Sequence, residues 1–188
     1  TTSLYPFQPP LVLDQRMQWL RPAVIDDDRF VACTESGDLY LVGVSNRGAP
    51  HLAALAESMV AMPPAAAPVA FGDRIAVVAR GSRSDSLITF EAPSLSGESQ
   101  IELPGRSRWG PFVAGQLLLL STTPGGLQVF ASDGQLRWSA ATDGKLPVGK
   151  PALSEQVLAT AMTDGTVLQW SVGNGELVSR IDVGQPLA

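Results

Sequence analysis

A phrase that begins with proline returns at a near-constant interval, and a chain punctuated in this way can fold only as a series of like units. The phrase reads Pro22-Ala23-Val24, Pro68-Val69-Ala70, Pro111-Phe112-Val113 and Pro151-Ala152-Leu153, at intervals of 46, 43 and 40 residues. Another, Pro186-Leu187-Ala188, begins 35 residues later. Self-similarity at such a period marks a repeat architecture, in which each unit has an apolar face that only its neighbour can bury.

Each phrase leads into the same order of events. A short polar turn comes first: Asp26-Asp27-Asp28, Gly72-Asp73, Gly115-Gln116 or Glu155-Gln156. An apolar run of strand length follows over 30–34, 75–79, 117–121 or 157–161. A second turn carries Gly37-Asp38, Asp85-Ser86, Gly125-Gly126 or Asp164-Gly165, residue types that either tolerate positive φ or bond their own backbone. A third strand is predicted over 39–44, 87–91, 127–131 and 167–171. A shorter fourth is clearest after Ser132-Asp133-Gly134 and Gly173-Asn174-Gly175, since Asp-Gly and Asn-Gly between apolar runs are strong hairpin signals.

Four short strands every forty or so residues, joined by tight turns, are the pattern of a β-propeller blade. The chain is therefore expected to be all-β: one propeller domain over 1–188 with about four four-stranded blades and part of another. Blades are expected over 22–62, 68–104, 109–141 and 147–183. Residues 11–20 read as the outer strands of a preceding blade, because Val12–Trp19 aligns with Phe130–Trp138, tryptophan on tryptophan. Residues 184–188 read as the start of a further blade. A count of about 4.5 repeats leads to the expectation of a fragment or half of a larger ring of seven or eight blades, or of two copies completing one.

Residues 50–62 resist the template. Their apolar positions 52, 55, 56, 59 and 60 have helical spacing, yet the segment lies where the first blade's outer strand belongs, so strand and short helix both stand. Pro63-Pro64-Ala65-Ala66-Ala67-Pro68 reads as an extended linker.

The sequence Gly126-Leu127-Gln128-Val129-Phe130-Ala131 followed by Ser132-Asp133-Gly134-Gln135-Leu136-Arg137-Trp138 resembles the quinoprotein-like (PQQ-like) β-propeller repeat, as do Asp164–Trp170 and Gly175-Glu176-Leu177. In that family a blade ends in a hairpin with a glycine and, four residues on, a tryptophan that docks between blades. Gly134 and Trp138 match, whereas Ile101 and Ser179 stand at the equivalent of Trp138 in other blades. The family includes quinone-dependent dehydrogenases and the lipoprotein of the bacterial outer-membrane barrel-assembly machinery. The dehydrogenases' calcium-binding carboxylates and adjacent cysteine pair have no counterpart here. The resemblance implies a propeller platform, and a periplasmic or cell-envelope setting, although Thr1–Pro6 lacks the pattern of a signal peptide.

Composition narrows the chemistry. Lys plus Arg is 13 against 18 Asp plus Glu, for a net charge of −5, so no basic surface for nucleic acid is expected. No run of 18 apolar residues suggests a transmembrane helix. One cysteine, Cys33, excludes an intrachain disulfide and sits in an apolar run as a core residue. His51 is the one histidine, with no nucleophile elbow to accompany it, and Asp26-Asp27-Asp28 lacks the spacing of a cation loop. The glycine-rich Gly81–Ser86 and Thr123–Gly126 lack the lysine of a phosphate loop.

No catalytic, cofactor-binding or metal-ligating residue is assigned, and no cofactor is expected. The polar cluster of most interest is Arg106, Arg108 and Trp109, residue types enriched at binding hot spots, as a possible interaction surface. The alternative is that Trp109 packs at a blade junction. The expected function is a non-catalytic scaffold that engages another protein or a second copy. Set against it are a ligand-sensing or enzyme-associated propeller domain active only in a longer chain, and a lectin-like domain using Trp109 or Tyr40.

Overall fold

Short apolar runs separated by Asp-, Asn- and Gly-bearing turns satisfy their backbone most simply by pairing with the next run along. The computed structural model describes residues 18–45 and 50–186. Its strands form four four-stranded antiparallel sheets, each from consecutive strands in simple up-and-down order. Sheet 1 holds β1 (Ala23–Val24), β2 (Arg29–Cys33), β3 (Asp38–Ser45) and β4 (His51–Met59). Sheet 2 holds β5 (Val69–Phe71), β6 (Arg74–Ala79), β7 (Ser86–Glu91) and β8 (Ser96–Glu102). Sheet 3 holds β9 (Arg106–Ala114), β10 (Leu117–Thr123), β11 (Gly126–Phe130) and β12 (Leu136–Ala140). Sheet 4 holds β13 (Pro147–Leu153), β14 (Val157–Met162), β15 (Thr166–Ser171) and β16 (Leu177–Asp182). This is the blade topology of a propeller, and each proline phrase opens or lies within the first strand of its sheet. Residues 11–17, expected as outer strands of a preceding blade, and 187–188 lie outside the described residues.

Residues 50–62 form strand β4 rather than a helix. β4 pairs with β3 from Ser45↔His51 to Asp38↔Met59, but Leu41 faces Ala56 while Val42 faces Ala54, so Leu55 is a bulge. Before the bulge the even residues share a face with Val42 and Val44. After it, Ala56 and Ser58 lie on the opposite face with Leu41 and Leu39. One extra residue converts two-residue alternation into a three-and-four spacing, which is why the segment imitates a helix. The proline-rich linker is extended as expected and also continues the line of β5: Ala65 N–H donates to Val78 O at 2.6 Å and Arg80 N–H to Pro63 O at 2.8 Å.

The chain divides into two compact units, Thr1–Gly81 with Ser86–Ile101, and Ser82–Asp85 with Glu102–Ala188. In the first, Val31, Cys33, Leu39 and Leu41 of sheet 1 meet Ile75, Val77, Ile88 and Phe90 of sheet 2. In the second, Leu119, Leu127, Val129 and Trp138 of sheet 3 meet Leu158, Leu168 and Trp170 of sheet 4. The same rule governs both: a forward face of one sheet covers the rear face of the next. Each large apolar side chain so buried contributes about 1.5–3 kcal/mol, which is the main force holding neighbouring sheets together.

Burial differs from strand to strand, and β3 is buried on both faces over 39–43. β6 from Ile75 on, β7 up to Phe90, β10 up to Thr122 and all of β11 are buried on both faces. β14 alternates between buried and half-buried, as does β15. β2 does so over Phe30–Cys33.

Cys33 is fully buried, and desolvation, with Asp38 nearby, pushes its thiol up to about 12. Thiolate is the reactive form, so an aromatic disulfide reagent at pH 8 is expected to leave Cys33 untouched in the folded chain and to titrate one thiol after unfolding in denaturant. Rapid native-state labelling would show that sheet 1 does not enclose it.

Candidate interaction surface

The sequence places Arg106, Arg108 and Trp109 on β9, and strand alternation sends neighbours to opposite faces. Arg106 turns to the loop before β7: its Nη1 pairs with Asp85 Oδ1 at 2.8 Å and its Nη2 donates to Ser82 O at 2.8 Å. Trp109 is buried on the forward face of sheet 3, its Nε1–H donating to Gly149 O on β13 at 2.8 Å and its ring 4.7 Å from Phe112. Arg108 is exposed. The three residues thus do not converge. Trp109 joins sheets 3 and 4, Arg106 clamps a loop, and Arg108 alone of the three faces solvent.

Trp138 makes a second junction. Its Nε1–H donates to Val172 O at 3.0 Å, and its ring lies over Gly175, where a Cβ would sit 2.5 Å from the indole. Gly175 also has φ of +74°, so the Asn174-Gly175 turn is shaped both by backbone conformation and by the tryptophan above it. By register Trp138 stands opposite Val129 as Ser179 stands opposite Gln169, so the serine occupies the tryptophan's place in sheet 4.

That exchange belongs to a wider change. Leu117, Leu119, Leu127 and Val129 form the forward face of sheet 3, and one repeat later their places are taken by Val157, Ala159, Val167 and Gln169. Val148, Ala152, Ala161, Ser171, Ser179 and Ile181 complete the same face of sheet 4, and none of these ten side chains is charged. Each is half-buried or exposed, with Ile181 at 46%. Beyond it, the outer strand β16 carries Leu177 and Val178, exposed by 52% and 59%. Sequence reasoning missed this surface because an apolar strand reads the same whether or not a neighbour covers it.

A depression of about 420 Å³ lies where sheets 3 and 4 meet, lined by Arg137, Glu155, Gln156, Ser171 and the backbone of Val172–Gly173 among others. Arg137, Glu155 and Gln156 are exposed and Ser171 is half-buried, and nothing among them forms a donor set for a metal. Among the described residues no three His, Cys, Asp or Glu side chains gather in one place. His51 opens β4 opposite Ser45, and Asp26 of the triple-aspartate turn is held by Arg29 through bonds of 2.6 and 2.9 Å. Among the described residues no helix is long and apolar enough to cross a membrane.

The Asp164-Gly165 turn carries the clearest charge effect. Asp164 Oδ2 meets Lys145 Nζ at 2.6 Å, and Oδ1 accepts from the Thr166 hydroxyl at 2.6 Å and its N–H at 3.1 Å. Lys145 first, then Thr166, hold the carboxyl well below the usual carboxylate range. A depressed native value stabilises the fold above the unfolded value near 3.8 and loses that stabilisation as pH falls below it. The Asp164→Asn chain is therefore expected to show a shallower fall in melting temperature below pH 4 than the parent. Parallel acid limbs in the two chains would contradict the assignment.

No protein-family model matches the chain, and no curated protein matches it in sequence. Solved structures do match in fold. BamB from Moraxella catarrhalis superposes with a TM-score of 0.62 at 17% identity, covering 90% of this chain and 52% of its own. AztD from Citrobacter koseri gives 0.63 at 16%, covering 89% and 48%. The Dos1 propeller gives 0.64 at 13%, again covering 89% and 48%. At these identities the likeness is one of fold, and the chain spans about half the length of the proteins it matches.

Proposed function

We propose that this chain is a non-catalytic protein-interaction module built on quinoprotein-like propeller repeats, needing no cofactor and working in the bacterial envelope. The observation that carries the reading is the forward face of sheet 4, a contiguous, uncharged sheet surface left half-open. Exposed apolar area of that kind is costly for a monomer and is where protein partners bind. The fold likeness to BamB is compatible with a scaffold, and the repeat resemblance supports the envelope setting. The partner is another protein or a second copy.

The test is photocrosslinking in cells from a benzophenone side chain placed at Val167 or Ile181, with Gln135, an exposed turn residue, as control. Discrete protein adducts from 167 and 181 and none from 135 are expected. The same adduct pattern from all three positions would overturn the reading. A ligand-sensing role, favoured by the depression beside Arg137, would instead appear as thermal stabilisation by a small molecule that Arg137→Ala abolishes.

A further inference from the structure

We infer that Asn174 is a site of spontaneous deamidation that the Trp138 junction holds in check, so that opening between sheets 3 and 4 commits it to a one-way change.

The chemistry begins with the dipeptide. The chain has two asparagines, Asn46 before Arg47 and Asn174 before Gly175. Glycine has no Cβ to shield its backbone nitrogen, which leaves that nitrogen free to approach the asparagine side chain. Gly175 N loses its proton and bonds to Asn174 Cγ. The Cγ–Nδ2 bond breaks, ammonia leaves with that proton, and a five-membered succinimide remains. Water then opens the ring. Attack at Cγ gives aspartate, whereas attack at the backbone carbonyl gives isoaspartate, whose chain runs through Cβ and Cγ and is one methylene longer. Water is the sole co-reactant, and nothing is oxidised or reduced.

Asn174 is exposed, so water reaches it. The restraint lies on the attacking atom. Gly175 N–H donates to Ser171 O at 2.9 Å, and Asn174 Oδ1 accepts from Glu176 N–H at 3.2 Å. Ser171 N–H closes the hairpin on Glu176 O at 2.8 Å. The first bond keeps the proton on the nucleophile, and the second fixes the amide it would attack. Sheet 3 then holds the turn from outside: Trp138 donates from Nε1 to Val172 O at 3.0 Å, and a Cβ on Gly175 would stand 2.5 Å from its ring. Ring closure needs Gly175 N to swing toward Cγ, a rebuilding of the turn at φ +74° for which the seated indole leaves no space.

The same contact makes the change one-way. Isoaspartate puts an extra methylene into the turn beside Gly175, where the indole already touches, so the modified hairpin no longer fits beneath Trp138. The aspartate product keeps the chain length and adds one negative charge at an exposed position, two residues from Glu176. The isoaspartyl form therefore lacks the tryptophan join, and the reaction records that the two sheets once separated.

Peptide mass spectrometry of the full chain, aged in mildly alkaline buffer, follows the amide-to-acid mass change at 174, and enzymatic methylation reports isoaspartate. Deamidation in the folded parent is expected to be at least about tenfold slower than in the same chain unfolded by guanidinium chloride, since local opening must precede reaction. Trp138→Phe keeps the fold and loses the anchor on Val172, and is expected to raise the native rate about fivefold. Trp138→Ala is expected to approach the unfolded rate. The isoaspartate-rich aged parent is expected to melt with an early transition, whereas Asn174→Asp melts as the parent does. An equal rate in the folded and unfolded parent overturns the inference, as does a Trp138→Phe rate equal to the parent's, or an isoaspartate-rich chain that melts like the parent. An intact Asn174 in the unfolded chain would remove the site itself.

Discussion

Asp85→Ala is expected to destabilise the chain by about 3 kcal/mol, lowering the melting temperature by roughly 6–12 °C at 2–4 °C per kcal/mol for a domain of this size. The Asp85 side chain is fully buried. Its Oδ1 accepts from Arg106 at 2.8 Å and its Oδ2 from the N–H of Ser107 at 2.9 Å. Its backbone adds two more ties to the same strand entry, N–H to Gly105 O at 3.1 Å and C=O from Leu103 at 2.9 Å. Truncation removes the acceptor for a buried N–H, which costs about 1–3 kcal/mol, and a charge-assisted bond worth about 1.5–3 kcal/mol. The lower half of that sum is the sound choice, because Arg106 is 33% exposed and can turn to water. Asp85→Asn keeps an oxygen for Ser107 and is expected to lose about half as much. Chemical denaturation of the three chains, read by tryptophan fluorescence, checks the order, and an alanine chain as stable as the parent would contradict it.

Trp138→Ala is expected to cost about 3–5 kcal/mol, the range for removing a large buried aromatic. The ring is 7% exposed and covers Gly175, while its N–H meets Val172. Because it projects from the outer strand of sheet 3 onto a turn of sheet 4, its loss weakens the join between two sheets more than either sheet itself. Repeat units are stabilised by such nearest-neighbour terms, so unfolding of this variant is expected to split, with sheet 4 melting first. The observable is a first transition of low denaturant dependence followed by the main one. Trp138→Phe retains the ring packing and gives up the hydrogen bond, for about 1 kcal/mol and a single transition. A Trp138→Ala chain that unfolds in one transition with the parent's midpoint would contradict the junction.

These two residues show what was legible before the structure. Trp138 was visible because its hairpin combines a turn signal with a family resemblance, and both point to docking at a blade boundary. Asp85 was visible only as a turn former. Its burial depends on Arg106 and Ser107, 21 and 22 residues away across a hairpin, and no local pattern carries such a pairing. Arg106 and Trp109 drew notice by residue type, which indicates binding potential but not direction; register sends one to Asp85 and the other to Gly149. The strands themselves were legible because Gly and Asp turns recur with the proline phrases, and turn chemistry is local. The segment 50–62 was ambiguous for an equally physical reason, since the bulge at Leu55 breaks the two-residue period that identifies a strand. Least legible was the open face of sheet 4. Val157, Ala159 and Ala161 spell a buried strand as well as Leu117, Leu119 and Ser121 do, and only the packing of neighbours separates them.

Side-chain footprinting with a photogenerated carbene reads that face directly. On the purified chain at high dilution, Val157, Val167 and Ile181 are expected to be modified, while Leu117 and Leu127, the counterparts of Val157 and Val167, and the neighbouring Val129 stay silent. Labelling of both sets alike, or silence at Val157, Val167 and Ile181, would contradict a fourth blade whose forward face is open.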